Sequence, residues 1–479
     1  MAAVTLAKKD KLLNLLPYVI IGLGIFLRIV IYIQNRCLII DEANIARNLF
    51  ERDMAGLAHP LSYEQYAPPV FLWIQKLSTV LFGFSEMALR IYPLLMGIAM
   101  LLVLYRVLKH YSDDHGIWYV LLLAATGAIY LRYSTEVKQY MPDATIVLAL
   151  LLLALRTDIL KMNTTRFVLL WLLVGSLTVW SSMPGIFMLA GIGFYYLHAI
   201  ARAKAWNKFP ALVVVGILWA AQFALYYFTI LEPQASSDYL QRCHKDYFLY
   251  AGQWTHNWDV TVMKVLGGAC GHWALSIGFH LLCIVLGMVW LARKYMGRLI
   301  LVMTPLLLLL LAAALQRYSL IPRLALFSMP LLLILLASHK ALWVAYLAVM
   351  SVCIVNYNEV DVIAKPMVYE EMVLGLNFLK NGEVTGDMLY VHDLGIAAYT
   401  YYTQIHPRHK DWEVLKGAKL LKWDDDFEAI GQDMPAKSAL LYGWEEPAEQ
   451  NDQLNKITKH TTLVSEQRVM GGAVFVFRK

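Results

Sequence analysis

Charge is scarce in this chain. Only 16% of its 479 residues are Asp, Glu, Lys or Arg, against about 25% in ordinary soluble proteins. Cysteine is scarce too: five residues (37, 243, 270, 283 and 353) with no CxxC spacing, which removes the paired motifs of zinc and redox sites. The spacing leaves open a Cys243–Cys270 bridge, whereas Cys283 and Cys353 lie inside apolar runs, as small core residues do. No nucleic-acid signature is present, so no nucleic-acid partner is expected. The strict apolar–polar alternation of a membrane β-barrel is absent. The first apolar run is long and lacks a small-residue cleavage site, so no cleavable signal peptide is expected.

What is abundant is hydrophobic residues, 59% of the chain, with a mean hydropathy of +0.53. Many separate apolar runs approach the ~20 residues that a helix needs to cross hydrocarbon. The fold class is therefore mainly α, a polytopic transmembrane helical bundle. Eleven spans are predicted, at 13–35, 88–105, 117–131, 143–156, 167–183, 185–200, 210–230, 272–292, 299–316, 323–338 and 340–357. Alternate short loops are basic ("YRVLKHYSDDH", "RTDILKMNTTR", "ARAKAWNK", "ARKYMGR", "SHK"), as is the start "AKKDK". The positive-inside rule puts them on the cytoplasmic face with the N-terminus. Segments 36–87, 132–142 and 231–271 then lie outside, as does the C-terminal part. Segment 67–84 starts at Pro68-Pro69 and is interrupted by Gln75, Lys76 and Ser78. It is expected to lie in the outer interface, because a crossing there would turn every later basic loop outward. Asn163-Thr164-Thr165 fits a glycosylation acceptor pattern, but it falls in a cytoplasmic loop. From about 358 charges become frequent, and 358–479 reads as a small extracytoplasmic α/β domain after a membrane domain of 1–357. That domain has no nucleophile, metal or phosphate-loop motif and is expected to be structural or to guide substrate.

Ionisable groups at membrane depth are candidates for function, and here they gather on the outer side. Asp41, Glu42 and Arg47 follow the first span, and Glu64, Gln65 and Lys76 flank "YAPPVFLW". "LRYSTEVKQYMPD" carries Arg132, Tyr133, Glu136, Lys138, Tyr140 and Asp143, and "LQRYSLIPRL" carries Arg317, Tyr318 and Arg323. Arg132, Glu136 and Tyr140 recur at steps of four, which a helix would place on one face. Taken singly, Asp41-Glu42 reads as a wet helix cap, and 132–140 has the alternative reading of a solvated loop with one ion pair. Their shared side favours a polar cavity.

In that order, the Asp-Glu after the first span, the Pro-Pro-aromatic helix, "GFSEMALRIYPLLMGIAMLLVLYRVLKHY", "RYSTEVKQY" and "PRLALFSMPLLLILLA" resemble the GT-C integral-membrane glycosyltransferases. Dolichyl-phosphate-mannose protein mannosyltransferases and bacterial lipid A aminoarabinose transferases are the relatives the resemblance covers, over about 1–357. This chain has "YAPPVFLWIQK" where the mannosyltransferases carry a His-Pro-Pro-x-Gly-Lys type segment, and Glu64 stands four residues before Pro68. Neither acceptor class carries over. The resemblance implies a polyprenyl-phosphate sugar donor, transfer on the non-cytoplasmic face and inversion of the anomeric centre. The acceptor would be a glycan, a lipid or a protein, and the membrane a bacterial cytoplasmic one. A lipid phosphate leaves without protonation, so one carboxylate base suffices. Asp41 is the expected base, with desolvation raising its pKa toward a useful range. Arg132, Lys138, Arg317 and Arg323 are expected to hold the phosphate. Tyr133, Tyr140 and Tyr318 would orient phosphate or sugar, and Glu64 would bind sugar or acceptor. Glu42, Lys76 and Glu136 complete the candidate substrate-binding set, with Glu42 beside the base in a hydrogen-bonded helix start. No cofactor or divalent metal is expected to be required. A lipid-sugar flippase or transporter, or a polysaccharide polymerase or ligase, is the alternative.

Overall fold

A computed structural model describes residues 2–112, 115–235, 237–272, 274–339, 366–381, 388–443 and 447–479. The first ten helices that build the site are α1 (Ala2–Gln34), α2 (Ile40–Glu51), α3 (Pro69–Phe82), α4 (Glu86–Tyr111), α5 (His115–Thr126), α6 (Ala128–Tyr133), α7 (Tyr140–Arg156), α8 (Thr164–Ser181), α9 (Gly185–Ala203) and α10 (Phe209–Tyr226). Helices Ala274–Lys294, Met296–Ala314 and Met329–Ala337 complete the membrane part. Ten of the eleven expected spans fall on these helices. The eleventh, 340–357, lies outside the described residues, as does the 357/358 boundary. Seven helices among the described residues are long and apolar enough to cross a membrane, and three more apolar helices are shorter. Among the described residues, helix length alone therefore supports seven crossings. α3 has 14 residues and extends about 21 Å, less than the ~30 Å hydrocarbon core.

Two sequence expectations change here. The span expected at 117–131 is two helices, broken after Thr126. Arg28, fully buried in α1, explains how the break is tolerated. Its guanidinium donates to the Ala124 and Ala125 carbonyls at 2.9 and 3.2 Å, to Gly24 O at 3.0 Å and to Ser134 Oγ at 3.0 Å. Carbonyls at a helix end lack intrahelical partners, and a cation there also meets the negative end of the helix dipole. The second change is at 134–139, which is not helical. Ser134 and Thr135 hydroxyls donate back to Tyr130 O and Arg132 O, and such local bonds compete with helix continuation. The Val137 amide is taken by Glu42 of a distant segment, at 2.9 Å.

The basic loops converge at one end of the bundle. Tyr111 Oη donates to Arg298 O at 3.1 Å, Arg298 reaches His110 O, and Lys208 Nζ donates to Met162 O at 2.8 Å. Lipid-length helices there present exposed apolar rows such as Leu169, Leu173 and Leu177. Neither partner of the Cys243–Cys270 pair is bridged: Cys243 is exposed and Cys270 buried.

The C-terminal region is α/β. Its five-stranded sheet comprises β1 (Met388–Val391), β2 (Lys419–Leu420), β3 (Lys437–Gly443), β4 (Thr462–Val469) and β5 (Gly472–Arg478), in the order β2-β1-β3-β5-β4. β1 pairs in parallel with β2 and β3, whereas β3–β5 and β4–β5 are antiparallel. β3 and β5 are apolar and buried, while β4 is an exposed polar edge. One apolar core joins this region to α2 and α3: Leu38, Ala43, Leu49, Phe71 and Leu72 pack with Leu376, Tyr401, Trp412 and Val474.

Candidate active site

The site is organised by the turn between α1 and α2. Asn35 adopts a left-handed φ of 46°, a conformation Asn tolerates better than most residues. The chain then runs extended to Ile39 before α2 begins. Glu42, in the first turn of α2, is fully buried and accepts from five donors. They are Arg36 Nη1 (2.6 Å), Arg90 Nε (3.0 Å) and Nη2 (2.8 Å), and the amides of Val137 (2.9 Å) and Ile39 (3.2 Å). Burial raises the Glu42 carboxyl, but Arg36 and Arg90 outweigh it and hold it down at about 2. An anion so saturated has no face left for a ligand. It pins α1, α2, α4 and the 134–139 loop together.

The neighbouring carboxylate is different. Asp41 keeps about a quarter of its side chain open. Its Oδ2 lies 3.2 Å from Arg323 Nη1 and 4.0 Å from Lys138 Nζ, and its Oδ1 accepts from Gln65 Nε2 at 3.3 Å. Lys138 Nζ in turn donates to Gln65 Oε1. Burial raises the Asp41 carboxyl, but Lys138, Arg323 and Gln65 more than offset it, so it titrates below the ordinary carboxylate value. The expectation of a raised pKa is thus corrected, because two cations stand within ion-pair reach. Burial depresses the Lys138 ammonium despite the pull of Asp41.

A second layer surrounds this pair. Arg132 Nε donates to Glu136 Oε2 at 2.9 Å across the broken helix, and Arg36 Nη2 lies 3.9 Å from the same oxygen. Glu136 is fully buried and its Oε1 has no hydrogen-bond partner among the described residues. Burial pushes its carboxyl up in spite of Arg132. Tyr133 and Tyr140 meet edge to face at 5.3 Å. Beside them opens a cavity of about 700 Å³, lined by Arg132, Tyr133, Lys264, Pro322 and Tyr369 among others. Its wall includes Gly267, Gly268 and Gly271, the last at φ 94°.

The remaining candidates lie elsewhere. Glu64 is exposed in a left-handed turn (φ 53°), and Gln65, its neighbour, reaches Asp41 instead. Lys76 donates to Leu49 O at the end of α2, away from Asp41. Arg317 is exposed, and Tyr318 is buried with its hydroxyl on Leu324 O at 2.9 Å, holding the turn that carries Arg323. Arg28, Arg36 and Arg90 were absent from the expected set. Arg28 and Arg90 are charges inside apolar spans, a signal visible in the sequence.

The sequence pattern of the family described as dolichyl-phosphate-mannose-protein mannosyltransferase matches residues 66–227. No curated protein matches the chain. Among solved structures, ArnT from Cupriavidus metallidurans bound to undecaprenyl phosphate superposes with a TM-score of 0.53 at 12% identity, over 95% of this chain and 97% of that one. The chain has that fold. The Archaeoglobus fulgidus oligosaccharyltransferase, solved with zinc and sulfate, aligns with a TM-score of 0.51 at 11% identity, over 95% of this chain and 72% of its own. The arrangement is thus a polytopic helical membrane bundle with a small strand-containing C-terminal region.

Proposed function

We propose that the chain is a membrane glycosyltransferase that moves a sugar from a polyprenyl phosphate to an acceptor hydroxyl or amine, with Asp41 as the base. The observation that carries this reading is the bracketing of Asp41, about a quarter open, by Arg323 and Lys138. A carboxylate alone could be a cap. A carboxylate with two cations offers both parts of the reaction: a proton acceptor and a phosphate counter-charge. The matched family and the fold of ArnT, solved with undecaprenyl phosphate, support the donor class.

In the resting site the cations are paired with Asp41. A phosphate arriving at Arg323 and Lys138 competes for them, and its negative charge raises the basicity of Asp41. The acceptor oxygen or nitrogen attacks the anomeric carbon while its proton passes to Asp41. The bond from that carbon to the phosphate oxygen breaks, and the electron pair leaves with the lipid phosphate. One displacement inverts the centre. The two cations supply the charge that a single phosphate needs, so the reading requires no metal, and transfer is expected to survive chelation by EDTA. The basic loops at the far end of the bundle support placing Asp41 on the non-cytoplasmic face.

The test is transfer by purified protein from a panel of polyprenyl-phosphate sugars without an ion gradient. Asp41→Asn is expected to abolish transfer while donor binding survives. Movement of intact donor across vesicles without covalent change would replace this reading by the transporter one.

A further inference from the structure

The segment that leads into the C-terminal region does not pass the Asp41 centre by; it touches it at two points. Tyr369 lies under the Arg132 guanidinium, 4.1 Å from the ring centroid, and 5.3 Å from that of Arg36. It also forms part of the cavity wall. Glu370, 2% exposed, accepts from the Ile40 amide at 3.1 Å. Ile40 is the first residue of α2, next to Asp41, and its N–H is one of the donors that a helix cannot satisfy internally.

The sheet fixes this segment in turn. The Glu371 amide donates to Met470 O at 2.9 Å, and the Met470 amide lies 3.4 Å from Glu371 Oε2. Gly471, at φ 65° in the β4–β5 turn, approaches so closely that a Cβ there would stand 2.4 Å from Tyr369 O. Further contacts seat the same region on the α1–α2 turn and α4. The Leu38 amide donates to Tyr402 Oη at 3.0 Å, Tyr402 Oη donates to Glu86 Oε1 at 2.9 Å, and His406 Nε2 lies 3.1 Å from Glu86 Oε2. The hairpin, the 369–371 segment and the first turn of α2 therefore form one continuous chain of contacts ending at Asp41.

We propose that Glu370 and Tyr369 are positioning residues of the active site, supplied by the C-terminal region. Glu370 fixes the first turn of α2 so that Asp41 stays against Arg323 and Lys138. Tyr369 holds the plane of Arg132 at the cavity. The C-terminal region is then a component of the catalytic centre and not an appended module. The proposal rests on the transferase reading for its kinetic arm only.

The experiment measures kcat, donor KM and amide hydrogen exchange in the full-length protein. Glu370→Ala removes the acceptor; one such bond corresponds to about a tenfold loss in kcat, with donor KM nearly unchanged. Exchange at the amides of residues 40–42 should quicken by a similar factor. Glu370→Gln keeps an acceptor oxygen and should restore both. Tyr369→Leu should raise the donor KM, with exchange at 40–42 left as in wild type. If Glu370→Ala does not fold, Glu370→Asp, which withdraws the acceptor by one methylene, takes its place. Wild-type kcat together with wild-type exchange in the acceptor-deleted variant would overturn the proposal. A wild-type protein that transfers nothing from any lipid-phosphate sugar would overturn the transferase reading instead, and the exchange arm would still decide the role of Glu370.

Discussion

Two adjacent carboxylates, Asp41 and Glu42, differ in everything but sequence position. Glu42 accepts five hydrogen bonds in full burial, whereas Asp41 keeps about a quarter of its side chain open beside two cations. Arg323 is one of the two cations that hold Asp41 below the ordinary carboxylate range. In Arg323→Ala the Asp41 carboxyl should therefore titrate higher, and the acid limb of the kcat/KM–pH profile should move to higher pH, with weaker donor binding. Unchanged donor affinity would remove Arg323 from the phosphate site. Glu370 gives a stability prediction of opposite kind. Burial, with Glu42 and Asp41 adding to it and Arg36 opposing, pushes its carboxyl up to about 8. The folded state keeps a proton that the unfolded chain loses near its ordinary value of about 4.3. Stability is then lost as pH rises from that value toward 8, by on the order of a few kcal/mol. Glu370→Gln should remove this slope, so its melting temperature in detergent should exceed that of wild type at pH 8 but not at pH 4. Equal differences at both pH values would count against a protonated Glu370.

At the scale of elements, the loop 134–139 and the first turn of α2 stand or fall together. Sequence periodicity favoured an unbroken helix through Arg132, Glu136 and Tyr140. The Arg132–Glu136 pair forms as that spacing implies, yet the backbone between them is non-helical because Glu42 takes the Val137 amide and Ser134 and Thr135 bond locally. Such an outcome needs a partner 95 residues away, which no local pattern records. Removing one member of a buried ionic cluster leaves its counter-charges unpaired and costs about 3–5 kcal/mol. Glu42→Ala strands both Arg36 and Arg90, and should lower the melting temperature sharply and abolish transfer together. A variant with normal stability and selective loss of donor binding would instead make Glu42 a ligand. Gly97 is a second joint: a Cβ there would stand 2.2 Å from Ser134 Oγ, so Gly97→Ala should displace the same loop.

At the scale of the molecule, sidedness follows from where charges collect. The basic loops meet at one end, and the Asp41 centre lies among the polar segments at the ends of α1 and α6. The positive-inside rule predicts that segment 231–271 lies outside. Its exposed thiol, Cys243, offers a native reporter: a membrane-impermeant maleimide should label intact cells at Cys243, and Cys243→Ser should lose that label. Labelling only after permeabilisation would invert the topology.

The sequence by itself determined the membrane class, the positions of ten helices and the strand-containing C-terminal region, and it singled out Asp41 as the carboxylate expected to act. All of these follow from properties of consecutive residues: apolar length, alternation, and charge where charge is costly. Only the tertiary structure decided that Gln65 and not Glu64 reaches Asp41, that Lys76 bonds Leu49 O and Arg317 is exposed, that Arg36 and Arg90 neutralise Glu42, and that Glu370 meets the Ile40 amide while Tyr369 lies under Arg132. The reason is physical. A buried charge is satisfied by whichever donors the fold brings within about 3 Å, and those donors lie tens to hundreds of residues apart along the chain.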